Sequence, residues 1–241
     1  GFPRGATWAR LVAARPAQSL RACGNAFTGN AMRLTDADLL AELDRPECAA
    51  VRRAFVTRRY PRGRQVFAPR ETENRLFIVA RGRARVYLAS KGKEFTMAIL
   101  DVGDVYTTHT RAHVEALDDL DLLEADIAAV RRFLADMPAL TISMVKVLGD
   151  LLSHAFTVID GLAFHDVRRR LAQLLLLEAR RAQPDATGAA CFDHGLSIEQ
   201  LATIVGSSRQ TVSSLLNALE REGLIEMRAR GVICLPDLAR L

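Results

Sequence analysis

Leu196-Ser-Ile-Glu-Gln-Leu-Ala-Thr-Ile-Val-Gly-Ser-Ser-Arg-Gln-Thr-Val-Ser-Ser-Leu-Leu-Asn-Ala-Leu-Glu-Arg-Glu-Gly-Leu-Ile-Glu-Met227 is the stretch that decides the fold. Ser197 suits a helix N-cap, and Ile198, Leu201, Ala202 and Val205 recur at helical spacing. Gly206 permits a tight turn between two crossing helices. The second helix turns Val212, Leu215, Leu216 and Leu219 inward. Its opening face carries Ser208, Arg209, Gln210 and Ser213. Arginine and glutamine there suit base edges in a major groove, and hydroxyls suit phosphate. Glu222 to Met227 and Gly231 to Leu235 then predict a strand, a turn and a second strand. Helix, turn, helix and wing in that order predict a winged helix-turn-helix that binds DNA.

Working back along the chain, Val167 to Arg181 predicts a helix, and Gln183 to Gly188 a loop. Pro138 precedes a long helical run, Leu140 to Phe164. In it Ile142, Val145, Leu148, Leu152, Ala155, Ile159 and Leu162 form an apolar stripe with a coiled-coil-like seam. A single small domain does not cover so long a helix, so the stripe predicts a homodimer. Phe164-His165-Asp166 marks a hinge. From Arg53 to Asp126 the pattern is short alternating strands, with Leu76–Val79, Ala84–Leu88 and Phe95–Leu100 the clearest. Turn signals at Pro61-Arg62-Gly63, Arg81-Gly82, Ser90 to Lys93 and Val102-Gly103-Asp104 favour a small barrel or jelly-roll closed at its edges by helices. Thr35 caps a further expected helix through Leu43. The predicted class is α+β. Residues 1–31 are a leader or flexible arm, 32–138 a strand barrel, 139–164 a dimerisation helix and 165–241 the DNA-binding module.

The chain has 241 residues, 49% hydrophobic and 25% charged, with a net charge of +5. The excess is local. Residues 1 to 33 hold Arg4, Arg10, Arg15, Arg21 and Arg33 and no acid; taking these five from the 33 basic residues leaves 28, equal to the 28 acidic residues. DNA binding must therefore rest on local placement of Arg and Lys. No apolar run is read as spanning a bilayer. Cys23, Cys48, Cys191 and Cys234 show no metal-ligand spacing, and reduced thiols in an intracellular protein are the default. No carboxylate–histidine or cysteine–histidine constellation accompanies His109, so no enzyme is expected.

In this order of parts, from about Met32 to Leu241, the chain resembles the cyclic-AMP receptor / fumarate–nitrate regulator family of bacterial transcription factors. It is most similar to the carbon-monoxide-sensing haem regulators, the CooA type. Arg81 to Leu88, Gly103 to Thr110, Phe164-His165-Asp166 and Gly206 to Thr211 carry the likeness. Gly103 to Thr110 discriminates: the segment lacks the Arg-Ser of cyclic-nucleotide members, Arg111 being followed by Ala112, and holds His109 instead. The resemblance implies haem b, with His109 an axial iron ligand. Thr107 stands where some members have a cysteine. The other axial ligand falls at the amine of Met32, on the expectation that translation starts there. Met144, Val145, Leu148, Gly149 and Leu152 match the positions lining the gas site. His113, His154 and His194 are read as ordinary structural or surface residues, and His165 as a local cap or hydrogen-bond partner. The resemblance further implies an activator working with RNA polymerase on a palindromic double-stranded DNA operator. Carbon monoxide is the expected effector, with nitric oxide or a cyclic nucleotide as alternatives. A cytoplasmic homodimer without membrane contact is expected.

Overall fold

The computed structural model describes residues 40, 43–69, 74–110, 112–134, 138–185, 188–228 and 231–241; Met32, Thr35, Cys23, Arg111 and the 1–31 arm lie outside them. A short 3-10 turn (Pro46–Cys48) and helix α1 (Ala49–Arg52) lead into eight strands: β1 (Val56–Tyr60), β2 (Gln65–Phe67), β3 (Arg75–Arg81), β4 (Ala84–Ser90), β5 (Lys93–Leu100), β6 (Val105–Thr107), β7 (His113–Ala116) and β8 (Leu120–Asp126). They form two four-stranded antiparallel sheets, ordered β1-β8-β3-β6 and β2-β7-β4-β5. The expected barrel is thus an open jelly-roll of two facing sheets.

Alternation builds it. Along β3 and β8, Phe77, Val79, Leu120 and Leu122 turn into the space between the sheets, where they meet Val86, Ala98, Leu100 and Val114. Leu76, Ile78, Leu123 and Ala125 turn to the other face and are covered by Val51, Val130 and Val147 from helices. Helix α2 (Ile127–Leu134) supplies Val130, and the long helix α3 (Pro138–Phe164) supplies Val147.

Helix α3 has two apolar faces. Val147 and Leu151 pack on the strand domain. His154 Nε2–H donates to the carbonyl of Met97 at 2.8 Å. That carbonyl lies at a β-bulge: Val86 pairs with Ala98 and Tyr87 with Thr96, so Met97 has no partner across the ladder. On the other face Ile142, Val145, Leu148, Leu152, Phe156, Ile159 and Leu162 are exposed, Leu148 by 61%. Contrary to the sequence reading, the Val147–Phe164 window of this helix is long and apolar enough to cross a membrane by length and composition. It carries Asp150, His154 and Asp160, and the exposed stripe suits a partner helix better than lipid.

At the hinge, Asp166 caps helix α4 (Val167–Arg181) by accepting from the Arg169 N–H at 2.7 Å. Arg170 joins this hinge to the next module. Its guanidinium donates to the His165 carbonyl at 2.6 Å and to the Val205 carbonyl at 2.8 Å. His165 bonds locally through its backbone, its N–H donating to the Gly161 carbonyl at 3.2 Å, while its Nδ1 is buried without a hydrogen-bond partner among the described residues.

Strand β9 (Ala190–Asp193), helix α5 (Ile198–Val205), helix α6 (Arg209–Arg221), strand β10 (Glu226–Met227) and strand β11 (Val232–Leu235) complete the chain. A reciprocal capping box opens α5: Gln200 N–H donates to Ser197 Oγ at 3.1 Å, and Ser197 N–H to Gln200 Oε1 at 2.8 Å. Gly206 ends it at φ 65°, the left-handed region. Leu171, Leu175, Leu201, Val212, Leu216, Leu219, Ile225 and Ile233 close the core of this module. The wing has a third strand that the sequence reading left out, in the order β10-β11-β9. In its register Cys191 stands directly opposite Cys234, and the two form a disulfide. The expectation of reduced, unpaired cysteines fails for this pair, whereas Cys48 is a buried free thiol.

The DNA-binding module is docked on the strand domain. Leu196 and Ile204 pack on Ile99 and Leu117, and the Thr96 and Thr203 hydroxyls are 2.8 Å apart. A Cβ on Gly206 would lie 3.1 Å from the Phe95 ring and 3.2 Å from Leu162, so a side chain there would press on both.

Candidate sensor site and DNA interface

His109 sits in the turn after β6, exposed at the mouth of the strand domain. Its flanking threonines each hold part of that turn. Thr108 N–H donates to the Arg75 carbonyl at 3.0 Å, and Arg75 N–H to Thr108 Oγ1 at 2.9 Å, which pins the turn to β3. The Tyr106 and Thr110 hydroxyls are 2.9 Å apart. The Thr107 hydroxyl lies 3.1 Å from His109 Nδ1. With the proton on Nδ1 donated to Thr107, the Nε2 lone pair is left for another ligand.

His109 lines a cavity of about 870 Å³ with Arg58, Asn74, Arg75, Glu124, Asp126, Ile127 and Arg131. Glu124 is buried and heavily satisfied. It accepts from Tyr60 OH at 2.5 Å and Arg75 Nη1 at 3.0 Å, and Arg58 Nε lies 3.3 Å away. Burial, and then the bond to the Glu124 carboxylate, push the Tyr60 hydroxyl well above the usual phenol range. The phenol therefore stays a donor. The donor set suits haem: an imidazole nitrogen at a roomy cavity, with Arg131 on the lining for a porphyrin carboxylate. Among the described residues no group of three His, Cys, Asp or Glu side chains could hold a bare metal ion.

Of the described residues expected on the gas side, Val145, Leu148, Gly149 and Leu152 do not line this cavity. Val145, Leu148 and Leu152 lie on the exposed face of α3, and a Cβ on Gly149 would meet open space. Met144 belongs to the same helix, and Met32 lies outside the described residues. Sequence reasoning missed the arginine–glutamate cluster, because Arg75 and Glu124 are brought together only by the β3–β8 pairing.

At the DNA end, Arg209 and Gln210 are exposed on the first turn of α6 and Ser213 is half-buried one turn on. Ser208 is the N-cap, its Oγ accepting from Thr211 N–H at 3.1 Å, so it orders the turn that presents Arg209. Glu222, just after α6, pairs with Arg168 of α4. The β10–β11 wing lies beyond.

His194, just before α5, faces the strand domain. Its Nδ1 accepts from Leu196 N–H at 3.0 Å, so the ring is neutral. Burial, helped by the nearby Arg83 guanidinium and opposed by Asp193, holds its pKa below the usual histidine value. The unfolded imidazole titrates near about 6.5, so the penalty for charging the folded one is absent above that pH. As pH falls through about 6.5 and on to the lower folded value, stability is lost. Urea unfolding of the native chain should show this decline, and His194→Gln should flatten it; an unchanged slope in the mutant would assign the decline to another group.

Residues 169–241 match the Crp-like helix-turn-helix domain. A double mutant of CooA from Carboxydothermus hydrogenoformans is 40% identical, with 87% of this chain and 96% of that one covered, and a TM-score of 0.80. The imidazole-bound form of the same protein, described as a CO-dependent transcription factor, has the same identity and coverage and a TM-score of 0.51. A CRP-like cAMP-activated global transcriptional regulator from Mycobacterium tuberculosis is 28% identical over 190 residues, 76% of this chain and 84% of its own. With its jelly-roll, long helix and Crp-like reading module, the chain belongs to the cyclic-AMP receptor / fumarate–nitrate regulator family of transcriptional regulators, not enzymes, and within it to the CooA type.

Proposed function

We propose that this protein is a haem-dependent, homodimeric transcriptional activator that responds to carbon monoxide and binds two-fold-symmetric DNA in the cytoplasm with RNA polymerase as partner. The observation that supports the sensor reading is the placement of His109, its Nδ1 engaged by Thr107 at the edge of the arginine-lined cavity. His109 and the amine of Met32 are the proposed iron ligands. Met144, Val145, Leu148, Gly149 and Leu152 are assigned to the apolar side of the cofactor. Because Val145, Leu148, Gly149 and Leu152 do not line the cavity, their assignment requires the long helix to shift or to pair with its copy. Bound haem would supply an iron coordination position for a neutral diatomic gas. Thr107 orients the imidazole, Thr108 fixes the turn, and the apolar residues of α3 keep water from the gas side. The exposed stripe of α3 pairs two copies, and their recognition helices then face half-sites about one helical turn apart.

The test is an absorption spectrum of haem-supplemented, reduced protein. A Soret band that moves under carbon monoxide is expected. Failure to take up haem would sink the proposal and leave another small effector, such as a cyclic nucleotide, to be tested. For the DNA end, Arg209→Ala should weaken binding to a selected palindromic duplex by roughly 1–3 kcal/mol. Random duplex should lose much less; equal losses would mark Arg209 as a phosphate contact.

A further inference from the structure

We propose that Cys191 and Cys234 form a reversible thiol–disulfide switch that sets the stability of the DNA-reading module. The two residues face each other in register on β9 and β11, with Cα atoms 4.0 Å apart. β11 is the central strand of the wing sheet. The bond spans a sequence separation of 43 residues and closes a ring around α5, α6 and the wing. A regulator that works on DNA works where thiols are held reduced, so a bond here has to be made by an oxidant and is open to reversal.

Exposure assigns the two sulfurs different parts. Cys191 is exposed, whereas Cys234 is 3% exposed. The Cys191 thiolate attacks one sulfur of a low-molecular-weight disulfide, releasing one small thiolate and leaving a mixed disulfide on Cys191. The Cys234 thiolate then attacks Cys191 Sγ and releases the second. Two protein thiols are oxidised and one small disulfide is reduced to two thiols, which take up the two protons. Reduction runs the same exchange backwards from the exposed side.

The bond changes stability more than shape. Phe192, Ile233 and Leu235 are buried, and the β9–β11 ladder joins the strands without help from sulfur. Opening the ring therefore frees the unfolded chain while leaving the folded sheet in place.

The full chain should be equilibrated in glutathione buffers of graded thiol-to-disulfide ratio. Free thiols are then trapped by alkylation and read residue by residue by mass spectrometry. Cys191 and Cys234 should become protected together as the buffer turns oxidising and return together in excess thiol. The oxidised protein should melt higher by on the order of 10 °C. Cys191→Ser should melt like the reduced native chain in every buffer, and Cys234→Ala should repeat this if serine proves disruptive. Three results overturn the switch: both thiols alkylated at every ratio, a bond that excess thiol never opens, or equal melting in both states. Because none of these readouts involves haem, the outcome is separate from that of the gas-sensing proposal.

Discussion

His109→Ala is expected to remove the low-spin reduced haem spectrum and its response to carbon monoxide, leaving haem loosely held or differently ligated. No other described residue at the cavity offers the same donor. Its other described lining residues are arginines, carboxylates, an asparagine and small or apolar side chains, none a neutral nitrogen ligand. The Thr107 hydroxyl at His109 Nδ1 gives a graded comparison. Thr107→Val should keep the ligand but lose its orientation, weakening haem retention roughly 10-fold, the low end for lost outer-shell partners. Haem-to-protein ratio and the reduced spectrum measure both. A His109→Ala protein with an unchanged spectrum and normal gas response would remove His109 from the iron and with it the sensor assignment.

Leu148→Glu should convert the protein to monomers and weaken binding to a palindromic duplex by roughly 100-fold or more, since the second half-site contact becomes a separate event. Leu148 is 61% exposed in the single chain, in a stripe with Val145, Leu152, Phe156 and Ile159. The opposite face of the same helix is already committed to the strand domain through Val147, Leu151 and His154. A carboxylate at 148 would meet its own copy across an apolar seam, where an unpaired charge costs several kcal/mol to bury. The substitution lies on the outer face, so the monomer should keep its fold. Light scattering decides; a dimer that survives the change would move the seam to another surface.

The parts of this molecule that local chemistry governs were legible in its sequence. Gly206 and Ser197 punctuate the helix-turn-helix where expected, the helix Val167–Arg181 has the predicted bounds, and the long helix begins two residues early, at Pro138. Strands β3 to β5 form over the apolar runs that predicted them, though β3 is buried on both faces rather than alternating. What escaped depends on pairings far apart in the chain. β9 is short and gains its partner only when β11 arrives from the other side of both recognition helices, so the opposition of Cys191 and Cys234 was invisible to spacing rules. The same holds for Glu124 with Arg58 and Arg75, and for His154, whose partner carbonyl exists only because a bulge at Met97 leaves it outside the ladder. His109 is proposed from its place in a motif, whereas the contacts of Thr107 and Thr108 around it emerge only from the fold.

Strand β5 touches both halves of the molecule through neighbouring residues. Met97 accepts from His154 of the long helix, and Thr96 meets Thr203 of the reading module. Any shift of the long helix that breaks the first contact disturbs the strand that makes the second. Such a linkage has no preferred direction. If an effector tightens DNA binding by some factor, DNA must tighten effector binding by the same factor. Promoter occupancy would then lower the effector concentration needed for half-saturation, and a regulator already seated on its site would hear a fainter signal than one free in solution.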